Sequence, residues 1–293
     1  MEQLVPWLEL ESLVGDYYAR PGKGRRPYPL AVMLRVHCMQ LFYNLSDPGM
    51  EDALYEIESM RRFAQLSLSA PIPDESTILK FRHLLERHEP GGLILELINR
   101  YLHNHGVVLQ EGTIVDATII SAPTSTKNKD AQRDPQMHQT KKGNQWYFGM
   151  KLHIGVDKDS GMIHSMQTTP ADVHDITQTR GLLHGQERSC YGDSGYLGAS
   201  KREELKDHHI HWQIAARPSQ RKHMNAKDKA CEKAKASIRA KVEHPFRTIK
   251  RQFGYAKVRY RGLAKNTNRL AVLSAFSNLL MCHKRLLTWE QSA

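Results

Sequence analysis

Three carboxylates stand where carboxylates are awkward. Asp116 interrupts IVDATII, a run with the look of a strand buried on both faces, and burying an unpaired carboxylate costs several kcal/mol. Asp193 sits in GDSGY, at the expected C-terminal end of a strand, where α/β sheets commonly place ligand groups. Its neighbours Gly192 and Gly195 permit close backbone approach. Glu243 is the single acid between Lys233 and Arg251, a stretch holding seven cations: Lys233, Lys235, Arg239, Lys241, Arg247, Lys250 and Arg251. On a regular helix, Arg239, Glu243 and Lys250 fall within roughly 40° of one another, so one face presents cation, acid, cation. Pro245 removes a backbone donor and predicts a kink just after Glu243.

Each acid also has an ordinary reading. Asp116 could be a turn residue at a strand end, Asp193 a helix cap, and Glu243 the partner of Arg239 one turn earlier. Together, on strand, strand end and late helix of a basic chain, the three read instead as a carboxylate cluster. Hard divalent cations such as Mg²⁺ take oxygen ligands. Two of them about 3.5–4 Å apart can serve an in-line displacement at a phosphodiester, with the surrounding cations gripping the flanking phosphates. Lys141 and Lys142 are further candidate DNA contacts, or else part of a solvated charged loop. His153, His164 and His174 either line the site or are structural. HHIH at 208–211 lacks a matching Cys or His pair and does not read as a zinc site.

Composition frames this chemistry. The chain has 293 residues, formal charge +11, 40% apolar and 25% charged residues, so a soluble protein attracted to phosphate polyanions is expected. No run is long enough to span a membrane, and MEQLVPWLELESL lacks the layout of a signal peptide, which points to the cytosol. Cys38, Cys190, Cys231 and Cys282 lie far apart with no C-x-x-C pair, so buried thiols rather than disulfides are expected.

The elements that must position the acids follow from periodicity. Residues 1–105 read as helical: Leu30, Met33, Leu34, His37 and Leu41 recur at helical spacing, Asp47-Pro48 looks like an N-cap and first position, and Asp74 caps ESTILKFRHLLERH. This block could bind DNA or serve only for packing. After Gly106 the pattern changes. GTIVDATIISAP is β-rich, and a polar segment of unusual length follows, STKNKDAQRDPQMHQTKKGNQ, either functional or disordered. WYFGMKLHIGVD alternates apolar and polar with period two and pairs with GMIHSMQTTP through a DKDSG turn. Asp172 or Asp175 caps a helix, SCYGDSGYLG is a short strand and turn before a helix from about Lys201, and IHWQIAAR is another strand. The order β-β-β-α-β-α-β-α implies a mixed sheet with helices on its faces.

Those residues resemble the DDE transposases of bacterial insertion sequences, specifically the IS four/five superfamily, whose signature is Y-x2-R-x3-E-x6-K. Arg239, Glu243 and Lys250 fit R-x3-E-x6-K, with Ala236 where the tyrosine would be. VDATIISAP and GDSGYLG resemble the segments around the first and second aspartates, and the helical blocks RRPYPLAVMLRVHCMQLFYNLSD, EDALYEIESMRRF and PIPDESTILKFRHLLE resemble these proteins too, as does TKNKDAQRDPQMHQTKKGNQWYFGMK. The resemblance covers the chain from about residue 20. It implies an α/β, ribonuclease H-like mixed sheet with flanking helices (106–293), preceded by an all-helical N-terminal domain (1–105) for DNA binding or dimerisation. Asp116, Asp193 and Glu243 would then be both catalytic and metal-binding, with two Mg²⁺ ions or Mn²⁺ in their place. Arg239 and Lys250 would position terminal phosphates. The implied partners are double-stranded DNA, as terminal inverted repeats and target, and a second copy of the chain in a synaptic homodimer. A bacterial cytoplasmic protein at the nucleoid is expected, with no membrane partner. A silent or domesticated DNA-binding product, or a nuclease of the same fold, is the alternative.

Overall fold

The computed structural model describes residues 2–18, 26–107, 111–129, 131–206 and 209–290. Six helices come first: α1 (Trp7–Gly15), α2 (Leu30–Phe42), α3 (Asp47–Glu56), α4 (Glu58–Phe63), α5 (Glu75–His88) and α6 (Gly91–Asn104). Asp74 caps α5 as expected, its carboxylate accepting from Thr77 N–H at 2.7 Å. Asp47 does not cap α3. Ser46 does, accepting from Gly49 N–H, which frees Asp47 to pair with Arg82 at 2.7 Å. The helix expected to open at Asp47-Pro48 is broken at Ile57, whose backbone is extended. There the Arg61 guanidinium donates to the Leu54 carbonyl, satisfying an acceptor that the interrupted ladder leaves open.

The strands are β1 (Gly112–Ser121), β2 (His138–Lys142), β3 (Gln145–Asp157), β4 (Ile163–Pro170), β5 (Ser189–Gly192) and β6 (His211–Ile214). β3 pairs antiparallel with β4 on one edge and with β1 on the other, and β5 and β6 continue the sheet parallel to β1. The result is the mixed sheet with flanking helices that the element order implied. The long polar segment is not merely a loop. Its HQTKK forms β2 against the protruding start of β3, and Asp134 and Gln136 accept from Gly262 and Leu263 N–H, both at 2.6 Å. An edge strand of this kind takes its order from backbone pairing, so it shows no apolar alternation. The helix expected from Lys201 is a pair of 3₁₀ turns, Ala199–Lys201 and Glu203–Leu205, begun by Gly198 at φ 93°, a conformation suited to glycine.

The remaining helices are α7 (Thr179–Leu182), α8 (Pro218–Arg221), α9 (Ala226–Arg239), α10 (Glu243–Arg247) and α11 (Ala264–Glu290). None is long and apolar enough to cross a membrane among the described residues. The alternation along the strands sorts side chains to two faces. Ile114, Ile120, Met150, Leu152, Ile154 and Val156 join a core with Leu273, Phe276 and Leu279 of α11 and with Leu97, Ile98 and Leu102 of α6. Val115 faces the other way, toward Leu182, Cys190 and Tyr196. Each fully buried aliphatic side chain contributes about 1.5–3 kcal/mol, so the helical block and the sheet stabilise each other through one continuous core. Polar ties reinforce the seam: Asn278 Nδ2 donates to Asn99 Oδ1 at 2.7 Å, and Gly91 N–H to Asn268 Oδ1 at 2.6 Å. Before α11 the chain turns around Asn266, which is fully buried. Asn266 accepts from Tyr255 OH and donates to the carbonyls of Tyr260 and Gly262.

Candidate active site

Asp116 lies in mid-β1, level with Ile154 of β3, and its Oδ1 accepts from Ala117 N–H at 2.7 Å. Asp193 follows directly on β5, where its Oδ1 accepts from Gly195 N–H at 2.8 Å and begins the 3₁₀ turn Ser194–Tyr196. Asp193 therefore does cap a turn, with its second oxygen left over. Because β5 runs parallel to β1, with Ile114 opposite Tyr191, the two aspartates emerge at the same level of adjacent strands.

Glu243 arrives on an irregular helix. α9 ends at Arg239, Ala240–Val242 is a 3₁₀ turn, α10 starts at Glu243, and Thr248–Gln252 winds as a π-helix. Pro245 has no N–H to give the Lys241 carbonyl, so a uniform ladder cannot run through this stretch; π turns of this kind recur at functional sites. The expected kink is thus a change of winding spread over both sides of Glu243. Val242, Phe246 and Ile249 are buried and anchor the segment, leaving Glu243 exposed and Arg239 and Lys250 half-buried.

Electrostatics show which groups share a neighbourhood. Burial raises the Asp116 carboxyl to about 7; Asp193 and Glu243 push it the same way, and Arg239 opposes them. Asp193, Glu243 and Arg239 are thus close enough for their charges to act on Asp116. Lys250 is depressed by burial and by Lys142, and supported by Glu243, which links the β2–β3 hairpin to the acids. Among the described residues Arg239 and Glu243 form no ion pair, so the ordinary reading of that glutamate fails. The donor atoms of the three acids are not all within 4.8 Å of one another; the group of described residues that meets this distance is His164, His184 and Glu187.

The other candidates divide. Lys141 and Lys142 are exposed on β2. His153 is buried and bonded to Thr169 Oγ1 at 2.8 Å, His174 is exposed, and His164 belongs to the group just named. His208 of the HHIH run lies outside the described residues. One further residue stands out: Trp146, at the start of the alternating strand, is 64% exposed at the hairpin end, opposite Lys141. Its place beside K-K-G-N was the available signal.

Residues 109–279 match the family model described as a transposase DDE domain, and residues 1–84 match a transposase domain (DUF772). The chain belongs to the DDE transposases. Enzymes of this family cut and join DNA with a divalent metal. Among solved structures, the Mos1 strand transfer complex aligns at 14% identity over 97% of this chain and 82% of that one, with a TM-score of 0.31. The pre-cleavage Mos1 transpososome aligns at 12% identity over 93% and 82%, with a TM-score of 0.23.

Proposed function

We propose that this transposase binds the terminal inverted repeats of an insertion sequence of the IS four/five superfamily. It cleaves the phosphodiester at each element end and joins the freed 3′-hydroxyls to target DNA. The observation that supports this reading is the level placement of Asp116 and Asp193 on adjacent parallel strands, with the charges of Asp193, Glu243 and Arg239 all acting on the buried Asp116 carboxyl.

The donor set fits the metal the family implies, since three carboxylates offer only hard oxygen ligands. Asp116, Asp193 and Glu243 would hold two Mg²⁺ ions, or Mn²⁺ in their place, which would activate the attacking oxygen and neutralise charge on the leaving one. The chain's own groups do the rest. Arg239 and Lys250 hold the phosphates on either side of the scissile bond, Lys141 and Lys142 grip the backbone further along, and Trp146 stacks on DNA beyond them. Asp116 takes part only once ionised. Residues 1–105 bind DNA or dimerise, 106–293 carry the chemistry, and two copies pair the two ends, in the cytoplasm at the nucleoid.

The test is incubation with a fragment carrying the inverted repeats, with Mg²⁺ or with EDTA. A nick at the repeat boundary that needs the metal is expected, lost in Asp116→Asn, Asp193→Asn and Glu243→Gln while DNA binding persists. Cleavage indifferent to the repeats would mark a nuclease, and binding without cleavage a silent DNA-binding product.

A further inference from the structure

On the sheet face opposite Asp116, three side chains that the cleavage chemistry does not use converge. His164 is the second residue of β4, Glu187 precedes β5, and His184 follows α7. One donor atom from each lies within 4.8 Å of the other two. The cluster sits at the level of Thr113, three residues before Asp116, so about 10 Å back along β1 at the usual strand rise. Gly155 makes the room: a Cβ there would meet the Leu182 carbonyl oxygen at 2.2 Å and His164 Cε1 at 2.8 Å.

Each group is aimed. The Glu187 side chain is fully buried, and its carboxylate is fixed by the N–H groups of His184 and Gly185. Among the described residues no lysine or arginine pairs with it, so its charge has no cationic partner. His164 Nδ1 lies 2.9 Å from Ser165 Oγ. Donation there leaves the Nε2 lone pair facing Thr113 Oγ1 at 3.1 Å, and outer partners of this kind orient metal-binding imidazoles. The Thr113 hydroxyl is also 3.3 Å from Glu187 Oε1; with one proton it can serve only one of the two. His184 Nε2 stands 3.5 Å from Glu187 Oε1. That is long for a hydrogen bond and close to the roughly 3.3–3.4 Å edge of a tetrahedron with bonds of about 2.0–2.1 Å.

We infer that His164, His184 and Glu187 form a second metal site, for a zinc-class cation with water as fourth ligand, separate from the oxygen-only acid cluster. Two imidazoles and one carboxylate suit a borderline ion rather than Mg²⁺. Ligation through His184 Nε2 puts that ring's proton on Nδ1 and releases the 3.2 Å contact from Gln186 N–H, an exposed group that water can satisfy. The ion ties β4, the turn before β5 and the end of α7 together, a structural clamp behind the catalytic sheet.

The test uses the untagged full chain, stripped with chelator and titrated with Co²⁺. The expected result is one equivalent bound with the visible d–d absorption of a tetrahedral N,O site, displaced by Zn²⁺ and not by Mg²⁺, and a Zn²⁺-dependent rise in Tm of a few degrees. The signal should survive Asp116→Asn and Glu243→Gln and vanish in His184→Ala. Glu187→Gln, nearly isosteric, should weaken Co²⁺ binding at least tenfold while circular dichroism stays native, so lost signal is separable from misfolding. No tetrahedral absorption, or absorption that persists in His184→Ala or disappears in Asp116→Asn, overturns the site. None of these readouts depends on DNA cleavage.

Discussion

Arg239 and Glu243 stand one helical turn apart and do not pair; Arg239 acts instead on Asp116, whose carboxyl its charge helps to hold down. The glutamate is exposed and carries no structural bond that its charge must maintain. Glu243→Gln should therefore change stability by no more than about 0.5 kcal/mol and abolish DNA cleavage. A thermal melt beside a cleavage assay checks this, and a large loss of Tm would return the residue to a structural role.

Asp116 makes an opposite prediction. Its pKa is about 7 in the fold against an ordinary 3.8, so on raising the pH the unfolded chain releases this proton first. In metal-free buffer the fold should lose stability as pH rises from about 4 to 7, then level off. Asp116→Asn should flatten that window and stabilise the metal-free protein at pH 8 by on the order of 2–4 kcal/mol, while eliminating cleavage. Denaturant melts across pH with EDTA give the answer; an unchanged or lower midpoint in the variant would contradict it.

Histidines set an acid limit. Burial, with the Arg269 charge, lowers His37 to about 4, and burial lowers His153 to about 4. Both are neutral in the fold near pH 6, where the unfolded chain begins to take up protons, so stability should fall as pH drops from 6.5 toward 4. His37→Gln should make that decline shallower, measurable by urea midpoints at pH 7 and pH 5.

At the hairpin, Lys142→Ala should weaken DNA binding at every sequence and lower the slope of log K against log salt by about 1, the mark of one lost phosphate contact. Trp146→Ala should weaken binding by about 1–3 kcal/mol with little change in that slope, as expected when stacking rather than charge is removed. Fluorescence anisotropy over a salt series distinguishes them, and equal affinities for wild type and Trp146→Ala would remove the tryptophan from the interface.

Asn266 links Tyr255, Tyr260 and Gly262 inside the fold. Truncation to Ala leaves several buried groups unsatisfied and should cost on the order of 3 kcal/mol, read as a shifted denaturant midpoint.

What could be read ahead of the structure was whatever rests on local pattern. The alternation through residues 146–157 announced β3, Asp74 announced its helix, and Asp116 stood out because an acid in an apolar run is costly. What escaped depended on partners far along the chain. β2 pairs with the part of β3 that overhangs β1; Asp47 is paired with Arg82, far along the chain, while Ser46 caps the helix; and the carbonyl left open at the Ile57 break is met by the Arg61 side chain. His164, His184 and Glu187 share no motif, and only the stacking of three elements assembles them. Trp146 obeyed the strand's period but lay past the end of the core that gives the period its meaning.

Because Leu97, Ile98 and Leu102 bury against the same layer as Leu273 and Phe276, a gene fragment beginning after residue 105 would encode a nuclease half with a bare greasy flank. The front helices are therefore a lid that the sheet needs for its own solubility, whatever else they bind.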